Sequence, residues 1–407
     1  MLWGLANNMT DTLLAAFKRI MSMSDFQTSW IQLAFYGAYF CLAFPAALYI
    51  RKYSYKSGIL LGLGLFAVGS LLFYPASMTM SYGFFLFALY ILAGGLSILE
   101  TAANPYILVM GPQDTAIRRL NLAQSFNPIG SIIGIYMSKV FILSKLNTAE
   151  ASDRSAMDPE ILKAIQGEEL TGVMSAYVGV ALFLVLLWIV IKSAQMPKAV
   201  DTAETGPLGP ALSRLLKNKV YVLGVIAQFF YVGAQIGVWS FTIRYVMQAL
   251  QLNEAEASNY YLISLVVFAG SRFVFTALMK LVQPALLLAL SASGAILCSL
   301  LTIYGEGMTG AIALIAISGF MSLMFPTIYA LAANSLEQDT KLGGSGLIMA
   351  ILGGAVLTAV QGFISDSFGS ISISFFVPLA CFVVVFVFGA IQYKRSPQTE
   401  KEQLVAY

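Results

Sequence analysis

Apolar runs of twenty or so residues recur along the whole chain, and they leave it few ways to fold. A run of that length crosses a bilayer as a helix. Lipid offers no partner to backbone N–H and C=O groups, so each crossing segment must satisfy its own. The 407 residues are 58% hydrophobic and only 11% charged, against about 25% charged in soluble domains. We read twelve spans, at 1–17, 28–50, 58–78, 83–110, 119–144, 173–192, 220–249, 259–279, 284–304, 309–334, 346–365 and 372–393. Most exceed what a perpendicular crossing needs, which suits tilted helices. The expected fold class is an all-α membrane protein.

The polar stretch Ser193 to Lys219 divides the spans six and six. The expected organisation is an N-terminal six-helix half over 1–192, a cytoplasmic linker over 193–219, a C-terminal six-helix half over 220–393 and a cytoplasmic tail over 394–407. A second polar stretch, Ser144 to Thr171, contains Asp158-Pro159-Glu160. Proline behind an aspartate cap predicts a short surface helix there. Lysine and arginine set orientation. Arg51, Lys52, Lys56, Arg118, Arg119, Lys280, Lys341, Lys394, Arg395 and Lys401 fall on the linker's side. Both termini are therefore expected in the cytoplasm, with the protein in a bacterial inner membrane. Met1-Leu2-Trp3 opens part-way into a helix, and a further stretch upstream is expected. Cys41, Cys298 and Cys381 lie in apolar runs and read as small buried hydrophobes. No metal or cofactor is expected, and a net charge of +3 gives no ground for a nucleic-acid partner.

Acids at membrane depth carry the functional signal. Glu100 lies mid-span in Leu99-Glu100-Thr101-Ala102-Ala103-Asn104-Pro105-Tyr106. Insertion scales put a charge there at about 2.5–3.5 kcal/mol, so such a residue marks a function by default. Burial works against the charged form, so the group can take and release a proton near neutral pH. Asp11 is a second acid, sharing a helix face with Asn7 and Asn8. Two such acids in a chain without histidine predict a proton-handling transporter.

Polar stripes suggest what else it carries. Glu100 and Asn104 are one turn apart. Asn121, Gln124 and Asn127 make an amide stripe, and amides both donate and accept, as sugar hydroxyls require. Gln228, Tyr231, Gln235 and Trp239 set rings beside amides, which suits a pyranose. Tyr329, Asn334 and Gln361 are weaker candidates. The loop Arg51-Lys52-Tyr53-Ser54-Tyr55-Lys56 orients the protein and is a candidate gate, as is Arg272 in the second half. Gly130-Ser131-Ile132-Ile133-Gly134 reads as a close-packing motif. Asn104-Pro105-Tyr106 and Phe325-Pro326 interrupt corresponding spans of the two halves, a pointer to a transporter's binding region. The sequence has no serine-nucleophile elbow, no phosphate loop and no metal-ligand cluster. An enzyme or a nucleotide-driven pump is therefore not expected, and an ion gradient must supply the drive.

Six plus six helices about a basic linker is the architecture of the major facilitator superfamily. Within it, the run Leu99 to Tyr106, Gly111-Pro112, and Arg119-Leu120-Asn121-Leu122-Ala123-Gln124-Ser125-Phe126-Asn127 closely resemble the L-fucose:proton symporter family. So do Leu2-Trp3 with Ala6-Asn7-Asn8 and Asp11, Ser54-Tyr55-Lys56-Ser57-Gly58, Ala227-Gln228-Phe229 with Tyr231 to Gln235, and Gln338-Asp339-Thr340-Lys341. The resemblance implies proton-coupled monosaccharide uptake by alternating access, with L-fucose the leading expectation. It implies that Glu100 binds sugar and exchanges protons, that Asp11 couples protonation to conformation, and that Asn8, Gln124 and Asn127 line the cavity. Asn104, Gln228, Tyr231 and Gln235 complete the expected substrate contacts. Glucose, galactose or N-acetylglucosamine, sodium as the coupling ion, and a non-transporting sugar sensor are the alternatives. The expected partners are the sugar, the proton and the bilayer, and the chain is expected to act as a monomer.

Overall fold

Short polar side chains start helices where the apolar runs are interrupted. Ser54, in extended backbone, accepts the Ser57 N–H at 3.1 Å and opens α2. Asn253 and Glu256 form a reciprocal capping box at another helix start, which satisfies two end donors at once. Asp158 accepts the Glu160 N–H at 2.9 Å with Pro159 in the first turn.

The computed structural model describes residues 4–5, 8–9, 12, 20, 25–142, 157–196, 206–336 and 339–405. The helices are α1 Asp25–Lys52, α2 Tyr55–Thr79, α3 Tyr82–Val109, α4 Ala116–Gln124, α5 Phe126–Phe141, α6 Pro159–Ser193, α7 Leu208–Lys217, α8 Lys219–Leu250 and α9 Glu254–Leu278. They continue as α10 Pro284–Tyr304, α11 Gly307–Met321, α12 Met324–Ala333, α13 Thr340–Met349, α14 Gly353–Phe368, α15 Ile371–Ser374 and α16 Phe376–Val405. No strand occurs among the described residues. Ten helical stretches there are long and apolar enough to cross a bilayer. The fifth expected span is present as α4 and α5, broken at Ser125. Most of the first, 1–17, lies outside the described residues, Asn7 and Asp11 included.

Two expectations need correction. The segment after Asp158 has the cap and the proline, but it is not a separate surface helix. α6 runs unbroken for 35 residues into the sixth span. Nothing after residue 165 interrupts it, because Gln166 to Leu170 are strong helix formers apart from one glycine. The tenth and eleventh spans are not single helices either. They divide at Ser322–Leu323 and through a 3₁₀ turn at Ala350–Leu352.

The described chain forms two compact units, Met1–Ala103 with Ile129–Ala203, and Asn104–Pro128 with Glu204–Tyr407. In the first, α2 and α3 meet at glycines. A Cβ at Gly95 would lie 2.7 Å from the Gly62 carbonyl oxygen, and one at Gly62 would lie 2.9 Å from that of Gly95. Such backbone proximity is the way helices associate in lipid, where no hydrophobic force drives them together. It sets α3, and therefore Glu100, against α2. The Trp188 indole N–H ties α6 to α2 through the Leu60 carbonyl at 3.0 Å. In the second unit, α8 is the central element and packs against α14, α16, α12 and α11.

Gly95→Val should destabilise the protein by about 1–3 kcal/mol through overpacking, read as an earlier thermal transition in detergent. Gly83→Ala, where an added Cβ meets nothing within 4 Å, should leave the transition in place. Equal effects would contradict the close approach.

Candidate functional site

In the first unit, Glu100 sits on α3 with 8% of its surface exposed. The Tyr39 side chain on α1 hydrogen-bonds its carboxyl group. Ser97, one turn earlier, donates to the Tyr39 main-chain carbonyl at 3.2 Å and fixes the register of α1 against α3. Thr101 donates back to the Ser97 carbonyl at 2.8 Å, so its hydroxyl costs the span no unsatisfied donor. Glu100 Oε2 is buried without a partner, and a buried lone acceptor carries a desolvation penalty that a donor would relieve. Asn8 donates to the Gly4 carbonyl at 3.1 Å. A Cβ at Gly134 would lie 2.8 Å from the Leu5 carbonyl oxygen and 3.3 Å from Asn8 Cβ. Gly134, the second glycine of the motif in α5, therefore packs closely against the segment that carries Leu5 and Asn8.

In the second unit, the fourth and fifth spans meet through amides. Gln124 donates to Asn104 Oδ1 at 2.9 Å, leaving Asn104 Nδ2 unpartnered. Asn121 donates to the Thr327 hydroxyl on α12 at 3.2 Å, both fully buried. Asn127 Oδ1 is buried and unpartnered. On α8, Gln228 is fully buried with neither amide atom bonded. Tyr231 gives its hydroxyl to the Met321 carbonyl at 3.0 Å, and Trp239 donates to Ser318 at 3.3 Å. Gln235 is half-buried. Gln361 donates to Ser374 at 3.4 Å. Asn104, Asn127 and Gln228 thus hold unspent donors and acceptors, the chemistry a polyhydroxylated ligand can use. Tyr231 and Trp239 spend theirs on neighbouring helices.

The breaks in the fifth and tenth spans share one cause and one remedy. The Gln124 carbonyl should accept from the N–H four residues on, and residue 128 is proline. The Ser322 carbonyl should do the same, and residue 326 is proline. Proline has no N–H, so each carbonyl is orphaned in a region where lipid supplies no donor. Arg272 of α9, 3% exposed, serves both: Nη1 donates to Gln124 O at 2.9 Å and Nε to Ser322 O. Its guanidinium also lies 4.5 Å over the Phe268 ring. The two carbonyls end α4 and cap α11, where the helix dipoles present partial negative charge. The arginine was visible in the sequence, but its partners were not, because main-chain carbonyls leave no residue signature. Tyr39 and Thr327 were missed for a similar reason: each is an ordinary residue in an apolar span.

Arg272→Met should cost about 1.5–3 kcal/mol, the range for hydrogen bonds to a charged group. Pro326→Ala restores the missing N–H and should recover part of that loss in the double variant. Additive losses in a thermal-unfolding cycle would contradict the shared role.

Comparison with known proteins agrees with this architecture. The sequence pattern of the Major Facilitator Superfamily matches residues 1–351. The chain is 43% identical over 403 residues to an L-fucose-proton symporter of Haemophilus influenzae, covering 95% of this chain and 93% of that protein. It is 38% identical to the L-fucose-proton symporter of Escherichia coli, covering 95% and 90%. It is 32% identical to a glucose/galactose transporter of Brucella abortus, covering 97% and 92%. The crystal structure of the transporter FucP in an outward conformation superposes with a TM-score of 0.90 at 38% identity, covering 96% of each chain. The chain belongs to the Major Facilitator Superfamily, in the same family as the L-fucose–proton symporters.

Proposed function

We propose that this protein carries L-fucose and a proton together across the membrane by alternating access. The observation that carries the reading is Glu100, a membrane-depth acid with a hydroxyl partner on one side and a free buried oxygen, Oε2, on the other. Two relatives at 43% and 38% identity bear the name L-fucose-proton symporter, which supports the choice of sugar and ion. A proton on Glu100 or Asp11 removes the cost of enclosing a charge. Sugar hydroxyls then hydrogen-bond Glu100, Asn8, Asn104, Gln124 and Asn127, with Gln228 and Gln235 contributing amides from the second half and Tyr231 its ring, the hydroxyl being spent on the Met321 carbonyl. Proton and sugar leave on the low-proton side, and the empty carrier returns deprotonated. Residues 1–192 and 220–393 act as the two moving halves about the 193–219 linker. Arg272 gates the linker side, both termini face the cytoplasm of a bacterial cell, and the working unit is the monomer.

A second reading has its own observation: relatives at 32% identity are named glucose/galactose transporters. Adding each sugar to weakly buffered, de-energised vesicles while following external pH separates the two. External alkalinisation with L-fucose alone is expected. Alkalinisation with glucose or galactose instead would move the substrate and keep the coupling. Labelled sugar entering with no pH change would overturn the coupling.

Glu100→Gln should abolish uphill accumulation, and unchanged accumulation would refute the assignment. Asp11→Asn should lose net uptake while retaining sugar exchange across the membrane. Loss of binding alone would argue against a coupling role.

A further inference from the structure

The linker between the two sets of spans contains a helix whose apolar surface is only half used. At about 100° per residue, Ala211, Leu215, Leu208, Leu212 and Leu216 of α7 fan over one continuous arc of about 140°, wide enough for an amphipathic face. Ala211 and Leu215 are buried against the protein, at 0% and 3% exposure. Leu208, Leu212 and Leu216, each one turn from the next, are 38%, 40% and 68% exposed. The opposite arc holds Ser213 and Lys217, both exposed.

Two contacts fix the rotation of this helix. Arg214 grips Asp339, at the start of α13, with both arms at 2.7 Å, a bidentate pair that constrains orientation as well as distance. Asn218 donates to the Ser335 carbonyl at 2.9 Å and accepts the Tyr221 N–H at 3.1 Å. It ends α7 and caps α8, and its non-helical ψ of 101° prevents the two from joining as one rod. α8 is a membrane-spanning helix that begins at Lys219, two residues after α7 ends. α7 therefore lies at a bilayer surface by connectivity alone, with its leucine row turned away from the protein that holds its other edge. Lys217 and Lys219 are exposed at the same junction.

We propose that α7 is an interfacial helix that docks on the bilayer itself. Leu208, Leu212 and Leu216 enter the boundary between headgroups and acyl chains, and Lys217 and Lys219 meet anionic headgroups. A helix with a leucine face and a basic polar face takes this position because buried apolar area and attraction to anionic lipid add. Near a membrane surface, each lysine reinforces the contact and loses strength with salt.

The test uses the full chain in vesicles of phosphatidylcholine with and without phosphatidylglycerol. Cys41, Cys298 and Cys381 are replaced by alanine, and the background is checked for transport. A nitroxide is placed by Leu216→Cys or, as control, by Ser213→Cys. The label at 216 should collide several-fold more with oxygen, which concentrates in lipid, than with a water-soluble nickel complex. The label at 213 should show the reverse. Phosphatidylglycerol should deepen the 216 label, and Lys217→Gln with Lys219→Gln should remove that increment. Equal exposure of both labels to nickel would overturn the proposal. So would shielding of the 216 label from both reagents, which would mean a protein cover. Depth at 216 indifferent to phosphatidylglycerol would overturn the headgroup contact.

Discussion

Hydrogen-bonding demand in a medium without water governs how this chain can bend. Pro128 and Pro326 each remove a donor from a span, and the carbonyls of Gln124 and Ser322 are left without their usual partners. One guanidinium meets both. Arg272 is met there by carbonyls and a ring instead of a carboxylate, and the negative ends of two helices offset part of the cost of burying it. The arrangement joins the fourth and fifth spans, through Asn104 to Pro128, to the helices that follow the linker, and the buried Asn121–Thr327 pair lies on the same seam. Any rearrangement that parts α4 from α9 hands those carbonyls to water. Motion and hydration in this region are thereby coupled, which is the behaviour an alternating-access protein needs on one side of the membrane.

Much of the fold was legible because hydropathy and helix length are tied together in lipid. Spans such as 284–304 coincide with the helix found there, Pro284–Tyr304, since proline at the start and Gly305-Glu306 just past the end leave no ambiguity. The sixth span was read too short because Glu160, Lys163, Glu168 and Glu169 look like a solvated surface. They are also good helix formers, so the helix simply begins outside the apolar stretch and continues into it. The divisions at Ser125 and Ser322 were invisible because each follows from a proline three or four residues later, and prolines within α1, α2 and α3 cause no such division.

The candidate site was legible to the extent that its residues are out of place in a membrane. Glu100, Asn104, Gln124, Asn127 and Gln228 stand out on chemistry alone, and each retains a buried atom in need of a partner or a bond to another of the set. Tyr39 does not stand out, because an aromatic in a span is ordinary, yet it supplies the hydroxyl beside the acid. Tyr231 stands out for the wrong reason: its ring lies at the expected spacing, but its hydroxyl is spent on the Met321 carbonyl. The leucine row of α7 was recoverable from spacing and was obscured by the prolines and charges around it.

The unbroken sixth span has a mechanical corollary. Thirty-five residues at about 1.5 Å each make a rod of about 50 Å, while the hydrocarbon it crosses is about 30 Å thick. Trp188 ties one end to α2, and the surplus at the other end, around Glu160 to Glu169, is held by the protein as well: Gln166 donates to the Ile20 carbonyl at 2.6 Å and Glu169 is buried. A small tilt at its foot becomes a displacement of several ångströms at its tip. Because Gln166 bonds the Ile20 carbonyl, that displacement is passed on to Ile20 whenever the rod tilts.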